Sequence, residues 1–201
     1  MRFSDNPIES PLNIPGVEAQ YVAKADDDKT PSWNTIFFVK DISPLLASSQ
    51  YYDADVAASR EASSPSWVIC SYINGRDTAG TVELQTTPHV PPSSPIRGSI
   101  LVINGSTPCE DKENDYHRWY DQEHGGKLTQ VPGWRASRRY ALSKAYGSVD
   151  VANFYGFNLY DEENGLGGPE WKAGVTEWTL RIRSNAAKPN IRRVWKVEKT
   201  G

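Results

Sequence analysis

The chain has 201 residues, enough for one well-filled core or two small, tightly joined ones. Charged residues make up 23% and the formal net charge is −3, so no global field draws the protein to nucleic acid or to an anionic membrane. Seven Trp and ten Tyr stand against a single Met, and these amphipathic rings line pockets as readily as they fill cores.

The N-terminus, Met1-Arg2-Phe3-Ser4-Asp5-Asn6-Pro7, has no apolar signal region. No stretch of about 18 apolar residues follows, so a cytoplasmic protein that does not cross a membrane is expected. Cys70 and Cys109 are too far apart for a CxxC zinc motif and do not suggest a disulfide framework. Asn104-Gly105-Ser106 matches a glycosylation pattern, but without a signal peptide it reads as a turn.

In chain order, Ile14-Pro15-Gly16-Val17 opens an alternating strand over 17–24, and Trp33–Val39 (WNTIFFV) reads as a second. A helical stretch over 44–62 and a strand over 67–73 follow. The run 86–95 carries four prolines, which forbid both helix and central strand, so residues 86–97 read as an extended linker. It divides the chain into halves, 1–85 and 98–201. In the second half a buried-type strand at 98–104 precedes Thr107-Pro108-Cys109-Glu110, which fits a capping box with Pro at the first helical position. The helix then runs through Asp115–His124, is weakened by Gly125-Gly126 and ends at Pro132-Gly133. Val131-Pro132-Gly133-Trp134 repeats the earlier Ile-Pro-Gly-Val turn before a strand over 134–144. A strand over 151–160, a helix over 169–178 and a strand over 193–197 complete the half.

The second half is therefore β-α-β-β-α-β, the ferredoxin-like order. The first repeats its later elements, but only Met1–Asn13 precede Ile14, too few for a strand plus a full helix. The expectation is an α+β protein of two duplicated ferredoxin-like units, the first lacking its opening β-α. Edge strands exposed by that loss need cover, either by a second copy in a homodimer or by residues 1–13.

His124 leads the chemical candidates. At 100° per residue, Tyr116, Trp119 and Tyr120 form an aromatic helix stripe with His124 beside it. An imidazole there suits acid–base work near neutrality. Tyr120 at i−4 and Asp121 at i−3 are within reach of it. The alternative is a structural His bonded to backbone. His117 lies about 10 Å away along the axis, so the pair cannot share a metal, and it reads as a half-exposed surface residue; no metal is expected. Arg138 or a neighbour on its strand could hold a substrate carboxylate or phenolate. Either Tyr155, Phe157 and Leu159 or the alternate set Phe154, Gly156, Asn158 and Tyr160 should wall the cavity. Gly165–Pro169 lacks the lysine of a phosphate loop, and no Gly-x-Ser-x-Gly elbow occurs.

Trp119-Tyr120-Asp121-Gln122-Glu123-His124, followed by Val131-Pro132-Gly133-Trp134 and Arg138-Arg139-Tyr140, resembles the dimeric α/β-barrel superfamily and within it the EthD-like proteins of fungi. Asn164–Lys172 is similar to a second stretch of that group. The resemblance covers 98–200 closely and 14–77 loosely. It implies two ferredoxin-like sheets closing a barrel with helices outside, a pocket between sheet and helices, and no cofactor. By that resemblance, His124, Tyr120 and Asp121 would be catalytic, with Tyr116, Trp119, Arg138 and Tyr155 binding an aromatic or polyketide-derived molecule. The implied reactions are those of a cyclase, isomerase or lyase of secondary metabolism. A decarboxylase or dehydratase, and a non-catalytic small-molecule-binding or interaction protein, are the alternatives.

Overall fold

The computed structural model describes residues 1–8, 12–59, 64–78 and 97–201, so the linker read over 86–97 lies outside them except for Arg97. Eight antiparallel strands form a closed barrel: β1 (Arg2–Ser4), β2 (Val17–Ala25), β3 (Trp33–Val39), β4 (Ser66–Asp77), β5 (Ile100–Ser106), β6 (Trp134–Tyr146), β7 (Phe154–Tyr160) and β8 (Ile191–Thr200). Around the barrel the order is β4-β1-β3-β2-β8-β5-β7-β6, with β1 also paired to β4. Each half thus places its strands fourth-first-third-second. The halves meet along two seams, β2 with β8 and β4 with β6.

Helices lie on the outside. The first half carries α1 (Ser43–Ala47) and α2 (Gln50–Ala58). The second carries α3 (Glu113–Trp119), a π-helical turn (Tyr120–His124), α4 (Gly125–Leu128), α5 (Pro169–Ala173) and α6 (Glu177–Ser184). Strand alternation separates the two faces. Tyr155, Phe157 and Leu159 of β7 point into the barrel core with Leu101, Ile103 and Trp195. Phe154 and Tyr160 point outward onto Tyr116, Trp119, Leu128 and Ile182. Burying such side chains contributes about 1.5–3 kcal/mol each, which explains why these strands are continuous apolar runs. Gly16 and Gly133 both sit at positive φ, 69° and 77°, so the two Pro-Gly turns share a backbone need as well as a sequence.

Three expectations change. The first half keeps its opening strand, β1, and it is the helix between β1 and β2 that is missing among the described residues. Three residues show no periodicity, and Arg2 looks misplaced in a buried strand until its partner Asp55 on α2 is seen, Nε to Oδ2 at 2.8 Å. This strand, drawn from residues 1–13, covers the edges of β3 and β4. Asn104-Gly105-Ser106 lies within β5, where Gly105 packs against Ala152 and Tyr155, and is not a turn. Thr107 does not cap the helix: its hydroxyl accepts from Asn153 N–H at 3.1 Å, and the helix begins with a 3-10 turn at Glu110–Lys112.

Candidate active site

Between the outer face of the second half's sheet and its helices lies a cavity of about 360 Å³. β5 contributes Val102, Asn104 and Ser106 to its floor, and β7 contributes Gly156, Asn158 and Tyr160. The wall is Tyr116, Trp119, Tyr120 and His124, faced by Trp171, Gly174 and Thr179. Arg183 and Arg192, both exposed, also line it, and neither makes an ion pair among the described residues.

The π turn decides how His124 sits. Its widened turn stacks the imidazole on the indole five residues back, with ring centroids of His124 and Trp119 4.2 Å apart and planes 17° apart. Tyr120 meets the imidazole edge-on at 5.5 Å. The indole is itself fixed, since Trp119 Nε1 donates to Thr179 Oγ1 at 3.2 Å and Thr179 Oγ1 donates to the Gly174 carbonyl. Glu123 accepts from the Thr176 hydroxyl, tying the π turn to the start of α6.

His124 is held neutral. Burial, helped by the Arg183 guanidinium, lowers its pKa to about 4 against the opposing pull of the Gly174 carbonyl. That carbonyl favours a proton on Nε2, which leaves the buried Nδ1 as a bare acceptor without a partner. Two more buried polar atoms in the same cavity lack a hydrogen bond of good geometry, the Tyr120 hydroxyl and Asn158 Oδ1. Gly156 admits them: a Cβ there would stand 3.0 Å from the Tyr120 hydroxyl oxygen. Burial raises the Tyr120 phenol pKa, and Arg139 and Asn158 counter it. Burial likewise pushes Tyr116 up to about 12. Three polar atoms of residues around this cavity are thus buried without a partner, a cluster that calls for a functional explanation.

The structure brings His124, Tyr120, Tyr116 and Trp119 together as the sequence suggests, and separates the other three. Asp121 turns away from His124 and accepts from Arg139 Nη1 at 2.6 Å and Asn74 Nδ2 at 3.2 Å, while its carbonyl is bound by Arg76. The π turn redirects it, since an ordinary α-turn geometry underlay the i−3 reading. Arg138 and Tyr155 face the barrel interior, because β6 carries a bulge at Arg135 and β7 alternates strictly. Arg138 is fully buried on Asp77 Oδ2 at 3.1 Å, and the Tyr155 hydroxyl accepts from Ala152 N–H. His117 is half-buried, its Nδ1 accepting from Arg139 at 2.6 Å.

Sequence reasoning offered Arg139 only as one of the strand arginines that could hold a substrate anion; its guanidinium instead lies 4.4 Å over the Tyr120 ring and holds that wall in place from behind. It named Asn158 only within one of two alternate wall sets and gave its amide no polar role, although one amide in the aromatic run FYGFNLY was a readable signal. Arg183 and Arg192 had none. Among the described residues no three His, Cys, Asp or Glu side chains converge as a metal site.

The chain is an α+β protein whose eight-stranded antiparallel barrel, with few helices outside, is compatible with a dimeric α/β-barrel-type fold. Solved structures agree at the level of fold. An anthrone oxidase-like protein superposes with a TM-score of 0.58 at 15% identity, covering 92% of this chain and 78% of its own. A presumed monooxygenase of Fusobacterium nucleatum gives 0.55 at 10% identity, covering 92% and 77%. No protein-family model and no curated protein matches the sequence.

Proposed function

We propose that the protein is a cofactor-independent enzyme that moves a proton on an aromatic, polyketide-derived small molecule, in the manner of the EthD-like group its sequence resembles. The carrying observation is the unpartnered Nδ1 of His124, in one cavity lining with Tyr120, whose hydroxyl is unpartnered, and Asn158, whose Oδ1 is unpartnered. Nδ1 takes a proton from an acidic C–H or phenol. The Tyr120 hydroxyl and Asn158 Nδ2 donate to the enolate oxygen that forms, in a site where few waters compete. Arg183 and Arg192 attract an anionic or phenolic substrate and balance its charge. That anion also raises the proton affinity of His124 at the moment it acts as base. Asp121 and Arg139 serve as positioning residues behind the Tyr120 ring. From the enolate, isomerisation, cyclisation or elimination follows according to the substrate.

The fold neighbours' names favour a second reading, in which the same carbanion reacts with dioxygen. A methylene would then become a ketone, with O2 reduced and one water released. One experiment separates the readings from each other and from a non-catalytic binder. A hydroxyanthrone with one acidic methylene is incubated anaerobically in D2O and its exchange is followed by NMR, then oxygen uptake is measured in air. Catalysed exchange, falling about 10²–10⁴-fold in His124→Ala, is the expected result. Binding without exchange would leave only the binder. Exchange with stoichiometric oxygen uptake would select the oxygenase.

A further inference from the structure

β1 is much shorter than the strands it separates. Its register ends with Arg2 opposite both Thr35 and Trp67. Beyond that point, and past the bonds between Met1 and Val68, β3 continues through Val39 and β4 through Tyr72, each paired among the described strands on one side only, to β2 and to β6. The barrel wall therefore has a gap between 36–39 and 69–72 that no described strand fills. A cavity of about 280 Å³ lies there, and its lining shows that it passes through the wall. Phe38, Tyr140 and Phe157 belong to the barrel core, whereas Ile14, Leu45 and Ile69 belong to the layer outside. It shares no lining residue with the cavity around His124.

The ladder alternation tells which main-chain groups face the gap. Met1 and Val68 exchange both of their bonds. Two residues further on, Cys70 must turn its N–H and C=O the same way, into the gap. Arg2 faces Thr35 on the other side, so Phe37 presents its N–H and C=O from the opposite rail. Such groups in apolar surroundings need partners.

We propose that this gap is a second small-molecule site, which takes a flat, mainly apolar molecule carrying carbonyl or hydroxyl groups on its edge. Core aromatic rings cover one face of the occupant, and Ile14, Leu45 and Ile69 cover the other. The edge groups pair with the Phe37 and Cys70 backbone. An extended peptide would meet the same rails, but its side chains project to both faces, where these two layers already pack. The volume stands at the lower end for small-ligand pockets.

The test uses 7-hydroxycoumarin as the probe, titrated into the full chain and soaked into crystals. Density for the probe between Phe37 and Cys70, and affinity at least tenfold weaker in Cys70→Phe, are expected. Cys70→Leu is the milder variant should Cys70→Phe not fold, and it too should weaken binding. The hydroxyanthrone reaction at the His124 cavity should be unchanged in either variant. Unaltered affinity in both variants, density only elsewhere, or displacement of the probe by an acetylated, amidated Val-Thr-Val-Thr peptide would overturn the proposal.

Discussion

His124 carries the clearest electrostatic consequence in the molecule. Its pKa is about 4 in the folded protein against 6.5 in an unfolded chain. Between these values the unfolded chain holds a proton that the folded protein refuses, so stability falls as pH drops from 6.5 towards 4. The full difference is about 3 kcal/mol, from 1.36 kcal/mol per unit. Urea midpoints at pH 7 and pH 4.5 should therefore lie closer together in His124→Gln than in the wild type. Equal acid sensitivity in the two would mean that the imidazole is not held neutral. The proposed activity inherits the same neutrality, because His124 can serve as a base wherever it is unprotonated. kcat/KM should stay flat from pH 8 down to about 5 and fall only through about 4. An acid limb centred between 6 and 7 would mean that a group other than His124 is the base.

Among the elements, the π turn and β7 build the site jointly, and both mark where the sequence could be read and where it could not. The aromatic stripe placed Tyr116, Trp119, Tyr120 and His124 on one wall because an extra residue in a turn displaces neighbours without moving a stripe to the far side. The same extra residue moved Asp121 out of reach, and nothing in Tyr120–His124 signals a widened turn. On β7 the alternation gave two sets without saying which faced the helices, since both are apolar and aromatic. Gly156 is the discriminating position, for only the outward set needs room for Tyr120. Gly156→Ala should push the Tyr120 hydroxyl from its place and lower kcat of the hydroxyanthrone reaction at least tenfold while the protein stays folded. Tyr120→Phe, which keeps the ring and removes only the hydroxyl, should reproduce that loss. Full activity in both variants would remove Tyr120 from the mechanism. β1 was illegible for a different reason: its burial depends on a long-range pair. Arg2 and Trp67 Nε1 both donate to Asp55, which is itself buried. Truncating one partner strands the other charge, so Asp55→Ala should cost about 3–5 kcal/mol in urea unfolding. A loss below 1 kcal/mol would show that β1 is held by its ladder alone.

At the scale of the whole molecule, the strand order shows why the two halves resemble each other more in arrangement than in residues. Each sheet needs only its fourth-first-third-second order and an apolar inner face. The outer faces are then free to diverge, and they have done so. In the second half the space between sheet and helices is the His124 cavity. In the first, the corresponding layer holds Trp67, Leu45 and Ile69 together with the Arg2–Asp55 pair, and its cavity opens instead at the gap between β3 and β4. What holds the halves together is visible in the seams. β4 and β6 pair over ten matched positions, from Trp67 with Tyr146 to Asp77 with Ala136, and Gly75 is packed so closely on Arg138 that a Cβ would lie 2.5 Å from the Ser137 carbonyl oxygen. β2 and β8 close the other side. A half on its own would therefore expose two unpaired edges, at β2 and β4 or at β6 and β8, each a template for association. Fragments 1–85 and 98–201, co-expressed as separate chains, should co-purify in equal amounts and rebuild the barrel, and either one alone should aggregate or self-pair. The same seam makes Gly75→Ala costly in the intact chain, by about 1–3 kcal/mol from overpacking, and it should abolish recovery of the fragment pair before it unfolds the single chain. Two halves that each remain folded monomers when expressed alone would show that the seams join two finished domains, and that the barrel is not one cooperative unit.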